Sequence, residues 1–486
     1  MSERRDDASF DIAIVGAGVV GSAIARELSR YELRIALVEA ASDVGTGTSK
    51  ANTAILHTGF DAKPGSLEAQ LVRRGSELMR AYGPEAGIPI ERIGAVLVAW
   101  TQDELAELGP IEEKARANGY LAARRIGPEE LYQREPHLGP GALAGLEIPD
   151  ESIVCTFTAP LAFATQAVRN GVELVLDSPV AGIARNEIGE HVLGLPGRQL
   201  VARWVINAAG LNSDVLDRAM GHDRFTVTPR RGELIVFDKL ARRLVAHILL
   251  PVPTKMGKGV LVAPTVYGNV MLGPTAEDIG DKTATGTTTT GIQSLQSKGR
   301  RIMPALLDEE VTAVYAGLRA ATEHSDYQLM AHPDEHYVCV GGIRSTGLTA
   351  SMGIAEYVAG LLREAGVALV EKAEFHPVQM PNIGEAFVRP YQDAAAIARD
   401  PEYGRIACHC ERVTRGEIRD AVRATLPARS VDGLRRRTRA QMGRCQGFYC
   451  AAEVDELLAQ ASGRSVETIL ALPAPLAGST RGEGAR

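Results

Sequence analysis

Apolar and polar positions alternate between two regimes along the first forty residues. An apolar run, Ile12–Val15, has the character of a buried strand. It runs into Gly16-x-Gly18-x-x-Gly21, after which Ala23, Ile24, Ala25 and Leu28 supply the packing positions of a helix. A second apolar run, "RIALVEA", ends at the acid Glu39. Much further on, "RWVINAAGLNSDVL" (203–216) reads as a buried strand that stops at Ala-Ala-Gly, with Ala209 and Gly210 at the turn into a helix. "YVCVGGI" closes another strand on Gly341 and Gly342, Gly347 allows a turn, and "TASMGIAEYVAGLLREA" continues as a helix. Buried strands followed by helices predict an α/β fold with a Rossmann-like sheet.

The first of these units has the order that dinucleotide binding requires. Gly16 permits the tight turn, Gly18 lets backbone approach a pyrophosphate, and Gly21 lets helix and strand pack closely. The helix N-terminus then faces the phosphate charge. The Glu39 carboxylate suits ribose hydroxyls and would repel a 2′-phosphate. The fingerprint alone does not separate FAD from NAD.

Cysteine usage changes the picture at the other end. Four of the six cysteines fall in two late pairs, Cys408-x-Cys410 and Cys445-x4-Cys450. Between them "ERVTRGEIRDAVRAT" predicts a helix with Thr414 as N-cap and Glu417 completing a capping box, and "AAEVDELLAQA" predicts another. Four thiolates hold either a [2Fe–2S] cluster or zinc, and an empty thiol cluster is the bland alternative. Arg435, Arg436, Arg437, Arg439 and Arg444 crowd the run before Cys445, as cations beside an anionic cluster or as a solvated basic face. Cys155 and Cys339 lie in apolar stretches and read as ordinary buried residues.

Composition is that of a globular protein: 486 residues, 45% hydrophobic and 23% charged, with more than one domain expected. A net charge of −7 gives no reason to expect nucleic-acid binding. "MSERRDDASF" has no apolar signal core and no run is long enough to span a bilayer. The expectation is a cytoplasmic protein, with attachment to the inner face of the cell membrane only through a partner.

"GTGTSKANTAILHTGF" (45–60), with Thr48, Ser49 and Asn52, resembles the D-amino-acid-oxidase-like flavoproteins. "TSKANTAILHTGFDAKPGSLEAQLVRRG" is particularly similar to the large subunit of anaerobic glycerol-3-phosphate dehydrogenases, which have Ser-Gly where this chain has Thr53-Ala54. "PRRGELIVFD", "GKGVLVAPTVYGNVMLGPTAED", "GLRAATEHSDYQL" and "GGIRSTGLTASMGIAEYVAGLL" continue that resemblance, with Thr346 where the family usually has Pro. "CHCERVTRGEI" and "MGRCQGFYC" resemble the bacterioferritin-associated-ferredoxin-like [2Fe–2S] module, although Phe448-Tyr449 is bulkier than that family's usual Gly-Phe.

The resemblance implies a Rossmann-like FAD-binding domain from 8–80, 150–215 and 330–365 and an α+β substrate domain from 81–149 and 216–329. A linker at 366–402, a small helical [2Fe–2S] domain at 403–462 with Cys408, Cys410, Cys445 and Cys450 as ligands, and a tail at 463–486 complete the division. FAD is expected to be non-covalent. The helix start at Gly347, Leu348 and Thr349 would stabilise charge at the pyrimidine edge of a flavin. His57 is the candidate base, with His324 the alternative. Arg319, Arg344 and Lys258 are candidate clamps for a small anionic substrate. Arg231 and Glu233 are expected to pair rather than to catalyse.

The function implied is oxidation of sn-glycerol 3-phosphate, with electrons leaving through the cluster to a partner subunit or quinone pathway. The rival readings are oxidation of a 2-hydroxy, amino or opine acid by the same build, and a non-catalytic electron-relay subunit.

Overall fold

The computed structural model describes residues 9–253 and 259–470. The chain divides into two compact units, Met1–Arg389 and Pro390–Arg486.

The first unit holds two large sheets whose strands interleave in sequence. One has a parallel core in the order Tyr337–Gly341, Arg198–Asn207, Ser9–Val15, Ile35–Val38, Glu173–Val175. Its two central strands are apolar over Ile12–Val15 and Ile35–Val38, where helices cover them: Ile12, Ala13, Ile14, Ile35, Ala36 and Leu37 are all buried. Helix Val19–Leu28 packs against Thr158–Arg169 and against Gly347–Glu364, and the last also packs on Leu67–Ala86. Glycine makes that last approach possible. A Cβ on Gly75 would lie 2.2 Å from the Thr349 carbonyl oxygen.

The second sheet has nine mostly antiparallel strands drawn from Ala95–Ile148 and Thr228–Ala321. Its longest pair, Thr228–Phe237 and Val311–Ala321, sets Arg230 opposite Arg319 and Gly232 opposite Gly317. Val96, Ile235, Phe237, Val262 and Leu272 form its core. Each such side chain contributes roughly 1.5–3 kcal/mol when fully buried. A small sheet joins Ile55–Leu56, Ser152–Val154 and Ile90–Arg92, with Leu56 paired to Ser152.

The stretch read as a linker is more ordered than its composition suggests. Up to Arg389 it is a strap along the first unit, with Lys372 N–H donating to Arg30 O, His376 N–H to Asn170 Oδ1 and Met380 N–H to Ala86 O. From Pro390 it belongs to the second unit, where Asp393 caps helix Ala394–Arg399 and Asp400 pairs with Arg419 at 2.5 Å. The signal was weak because the strap is held by backbone bonds to distant segments, which leave no periodicity.

In the second unit Thr414 and Glu417 form the capping box of helix Arg415–Arg423. This helix packs with Val431–Thr438 and Ala451–Ser462 around Ile418, Leu434, Val454 and Leu458. The tail assignment at 463–486 differs from the structure at its start. Val466–Leu470 is a helix that buries Ile469 in the same core, and five residues are too short for a helical pattern to be recognised. The Pro/Gly-rich remainder lies outside the described residues.

Candidate active site and cysteine cluster

The nucleotide cradle fits a dinucleotide on steric grounds. Gly16 has φ +105°, and a Cβ there would sit 2.4 Å from the Ala208 carbonyl oxygen. A Cβ on Gly21 would collide with the Gly16 carbonyl oxygen at 1.9 Å. Gly18 is the N-cap residue of Val19–Leu28 and makes no side-chain cap. The Ser49 hydroxyl accepts from Val19 N–H at 2.9 Å, which leaves its own proton to donate to an anion. Glu39 accepts from Ala17 and Ala41 N–H at 2.7 and 2.9 Å. Burial pushes its carboxyl above the usual range, against the lowering effect of those amides. Ala209 donates to Asn207 Oδ1, and Gly210 turns the chain at φ +57°.

The Thr48–Thr58 segment carries the candidate chemistry, and strand Val311–Ala321 supports it. Thr48 Oγ1 donates to Leu318 O at 2.8 Å, and Tyr315 O–H donates to Asn52 O at 2.8 Å. A Cβ on Gly317 would lie 2.0 Å from Ala51 O. Tyr315, Gly317 and Arg319 alternate onto one strand face, so the face that meets this segment is also the one that carries Arg319. Asn52 is occupied in shaping the turn: its Nδ2 donates to Ser49 O and its Oδ1 accepts from Ala54 N–H.

Arg319 has no carboxylate partner among the described residues. Its one hydrogen bond is a long one, Nη1 to Thr275 O at 3.5 Å. Burial, with Arg230 nearby, holds its pKa below the usual arginine value. Gly232 provides its room, because a Cβ there would lie 2.7 Å from Nη2. Arg344 is in a different situation from the clamp expected of it. Its Nη2 is bound to Glu68 Oε2 at 3.0 Å and to Ser325 O at 2.7 Å, so the structure gives it a loop-bracing ion pair. Lys258 lies outside the described residues. His324 is exposed, with its Nε2 bonded to Arg224 O at 2.9 Å. Arg231 and Glu233 lie 3.6 Å apart, and Glu233 also accepts from Thr288.

His57 is fixed at both backbone and ring. Its N–H donates to Thr349 Oγ1 at 3.0 Å, and its Nδ1 lies 3.1 Å from Glu151 Oε2. The other Glu151 oxygen accepts from Thr58 N–H and Oγ1 at 2.7 and 3.0 Å. Glu151 was not anticipated from the sequence. Its partnership with His57 arises from the Leu56–Ser152 strand pair, about a hundred residues apart in sequence, and no local motif signals it. Thr349 also bonds Ile55 O, which ties this segment to the first turn of Gly347–Glu364. Thr346, at the N-cap position of that helix, donates its hydroxyl proton to Glu68 Oε1, accepts from Tyr327 O–H and makes no cap bond. The first-turn amides of Gly347, Leu348 and Thr349 therefore lack a side-chain cap and are available to a ligand. Gly342 turns the preceding loop at φ +67°.

In the second unit Cys410 neighbours Cys445 and Cys450 neighbours Cys408, so the two motifs converge. The thiols of Cys408 and Cys450 are buried, and Cys410 and Cys445 are partly exposed. Burial pushes the Cys450 thiol up to about 12, whereas the Tyr449, Gly447 and Phe448 amides draw the Cys445 thiol down. Gln441 N–H reaches Cys408 Sγ at 3.4 Å. An all-sulfur donor set with amides turned toward it fits an iron–sulfur cluster. Three of the five arginines depart from the solvated basic face. Arg436, Arg437 and Arg439 are buried, and they are bound to Asp432, to the Leu426 and Gly433 carbonyls, and to Glu411 respectively.

A glycine-turned nucleotide cradle, an uncapped helix start, a histidine–carboxylate pair and a sulfur cluster define a redox enzyme that uses a flavin and a metal cluster. The chain belongs to the FAD dependent oxidoreductase family, whose model matches residues 11–361, and a BFD-like [2Fe-2S] binding domain matches residues 406–460. FAD and a [2Fe–2S] cluster are its cofactors. It is 36% identical over 459 residues to the glycerol 3-phosphate dehydrogenase of Caloramator mitchellensis, covering 93% of this chain and 95% of that protein. It is 31% identical over 361 residues to the glycerol 3-phosphate oxidase of Mycoplasma pneumoniae, covering 72% and 94%. The FAD-bound structure of L-alpha-glycerophosphate oxidase from Mycoplasma pneumoniae superposes with a TM-score of 0.72 at 30% identity, over 77% of this chain and 99% of that one. Among the described residues no helix is long and apolar enough to cross a membrane.

Proposed function

We propose that the chain oxidises sn-glycerol 3-phosphate at C2 to dihydroxyacetone phosphate, acting as a dehydrogenase whose electrons go to a separate protein or quinone acceptor. Bound FAD supplies the hydride acceptor, and the [2Fe–2S] cluster supplies a one-electron carrier. His57 Nε2 takes the proton of the C2 hydroxyl. Glu151 accepts from Nδ1–H and so keeps Nε2 the basic nitrogen. Arg319 holds the phosphate, and Lys258 joins it. The uncapped first-turn amides of Gly347–Glu364 would hold FAD and stabilise the negative charge it gains.

The observation that carries this reading is Arg319, a half-buried guanidinium with no carboxylate partner among the described residues, on the strand face beside the segment that bears His57. Two relatives named for glycerol 3-phosphate support the substrate choice. The experiment is an anaerobic absorption titration. Bleaching of the flavin band by glycerol 3-phosphate supports the proposal. Bleaching by L-2-hydroxyglutarate instead keeps the His57–Glu151 chemistry and replaces the substrate. No response to either discards both substrates and leaves the amino and opine acids and the electron-relay reading, which His57→Ala in the assembled complex separates.

A further inference from the structure

A second cluster of ligating side chains lies in the first unit, on residues that neither cofactor site uses. His222 follows helix Ser213–Ala219, His332 ends strand Gln328–His332, and Glu335 sits in the turn Pro333–Glu335 before Tyr337–Gly341. One ligand atom from each lies within 4.8 Å of the others. His222 Nε2 is 3.0 Å from Glu335 Oε2, and the two imidazoles stack with centroids 3.8 Å apart. Tyr337 stacks on both rings and donates to the buried Asp217, so the rings rest on a rigid floor. The turn itself is anchored, since Glu335 O accepts from His191 Nε2 and Arg185 Nη2.

We propose that His222, His332 and Glu335 bind a borderline divalent cation, with zinc the best match, through two imidazole nitrogens and one carboxylate oxygen. In a tetrahedral site with Zn–N and Zn–O near 2.0–2.1 Å, ligand atoms stand about 3.4 Å apart. The His222–Glu335 separation of 3.0 Å is somewhat shorter than that spacing, and His332 lies within 4.8 Å of both, so small side-chain rotations bring the three to it. Water completes the fourth position. Imidazole pairs with a single carboxylate disfavour magnesium and calcium, which prefer all-oxygen shells. The ion joins the loop after Ser213–Ala219 to the Gln328–Gly341 hairpin, at the end of the hairpin opposite Gly342.

The test uses the full-length protein carrying both cofactors, incubated with zinc chloride and desalted, with zinc and iron counted per chain by mass spectrometry. Wild type is expected to retain about one zinc that H332A and E335Q lose, their affinity falling roughly tenfold or more, with iron unchanged. Added zinc should raise the melting temperature of wild type and not of H332A. E335Q keeps a hydrogen-bonding group against His222, so its loss of zinc marks ligation rather than collapse of the loop. Equal zinc in wild type and H332A, no zinc in wild type, or zinc gained only as iron is lost would each overturn the site.

Discussion

His57 and Glu151 face each other beside the Leu56–Ser152 strand pair, with Nδ1 3.1 Å from an oxygen of a carboxylate that is 0% exposed. A buried acceptor on Nδ1 selects the tautomer whose lone pair is on Nε2. Thr58 holds the second oxygen, so the carboxylate cannot rotate away. With Glu151 replaced by Gln, turnover with glycerol 3-phosphate should fall about 10²–10⁴-fold while KM and bound FAD change little. Steady-state kinetics with a flavin count test this. An unchanged kcat would reduce Glu151 to a packing role.

Arg319 makes a separable prediction. Replacing it with Met should raise KM for glycerol 3-phosphate roughly 10–100-fold, the range expected for a lost charge-assisted hydrogen bond. Because the native guanidinium is half-buried with no carboxylate partner among the described residues, the substrate-free variant should melt no lower than wild type. An unaltered KM, or a clear drop in melting temperature, would mean that Arg319 is structural.

The parts of the molecule legible in sequence were those where function and local geometry coincide. Gly16, Gly18 and Gly21 are needed by the turn itself, and Thr414 with Glu417 is a four-residue device, so both could be seen without tertiary knowledge. Ala54 shows the limit. The family resemblance marked it as a departure from Gly, and the structure supplies the reason for Gly: φ is +57°, where a Cβ costs about 1–2 kcal/mol. Its methyl is buried against Leu234 and Met271, which offsets part of that cost. Glu151, the ion pair of Arg344 with Glu68 and the buried arginines before Cys445 were not legible, because each depends on a partner brought in by another segment.

Asp214 supports a prediction about pH. Burial alone would raise its carboxyl, but Lys282 at 2.6 Å, the Val227 amide and Arg218 outweigh burial and hold it below the usual value. A folded-state pKa below the unfolded one adds stability above the unfolded pKa, about 3.9, and that gain is lost as pH falls through the folded value. D214N should therefore melt lower than wild type by a steady margin from pH 7 to about 5. The margin should shrink below about pH 4. Calorimetry across that range tests it, and a margin that grows on acidification would exclude Asp214 as an ionised anchor.

Glu411 and Arg439 form a buried ion pair, 3.0 Å apart, with side chains 2% and 6% exposed. Glu411 adjoins Cys410, and Arg439 turns the chain at φ +71° just before Gln441, whose amide reaches Cys408. Removing one partner leaves the other charge buried without this counter-charge, which typically costs up to about 3–5 kcal/mol. E411A should therefore release iron at markedly lower urea than wild type. Replacing both with apolar residues of similar size, E411L with R439M, removes the unpaired charge as well and should recover much of the loss. Iron release followed against urea for the three proteins distinguishes the cases. If the double variant is as fragile as E411A, the pair holds the cluster loop through its specific hydrogen bonds. If E411A matches wild type, the loop is held by the Gln441 and Phe448–Tyr449 amides alone.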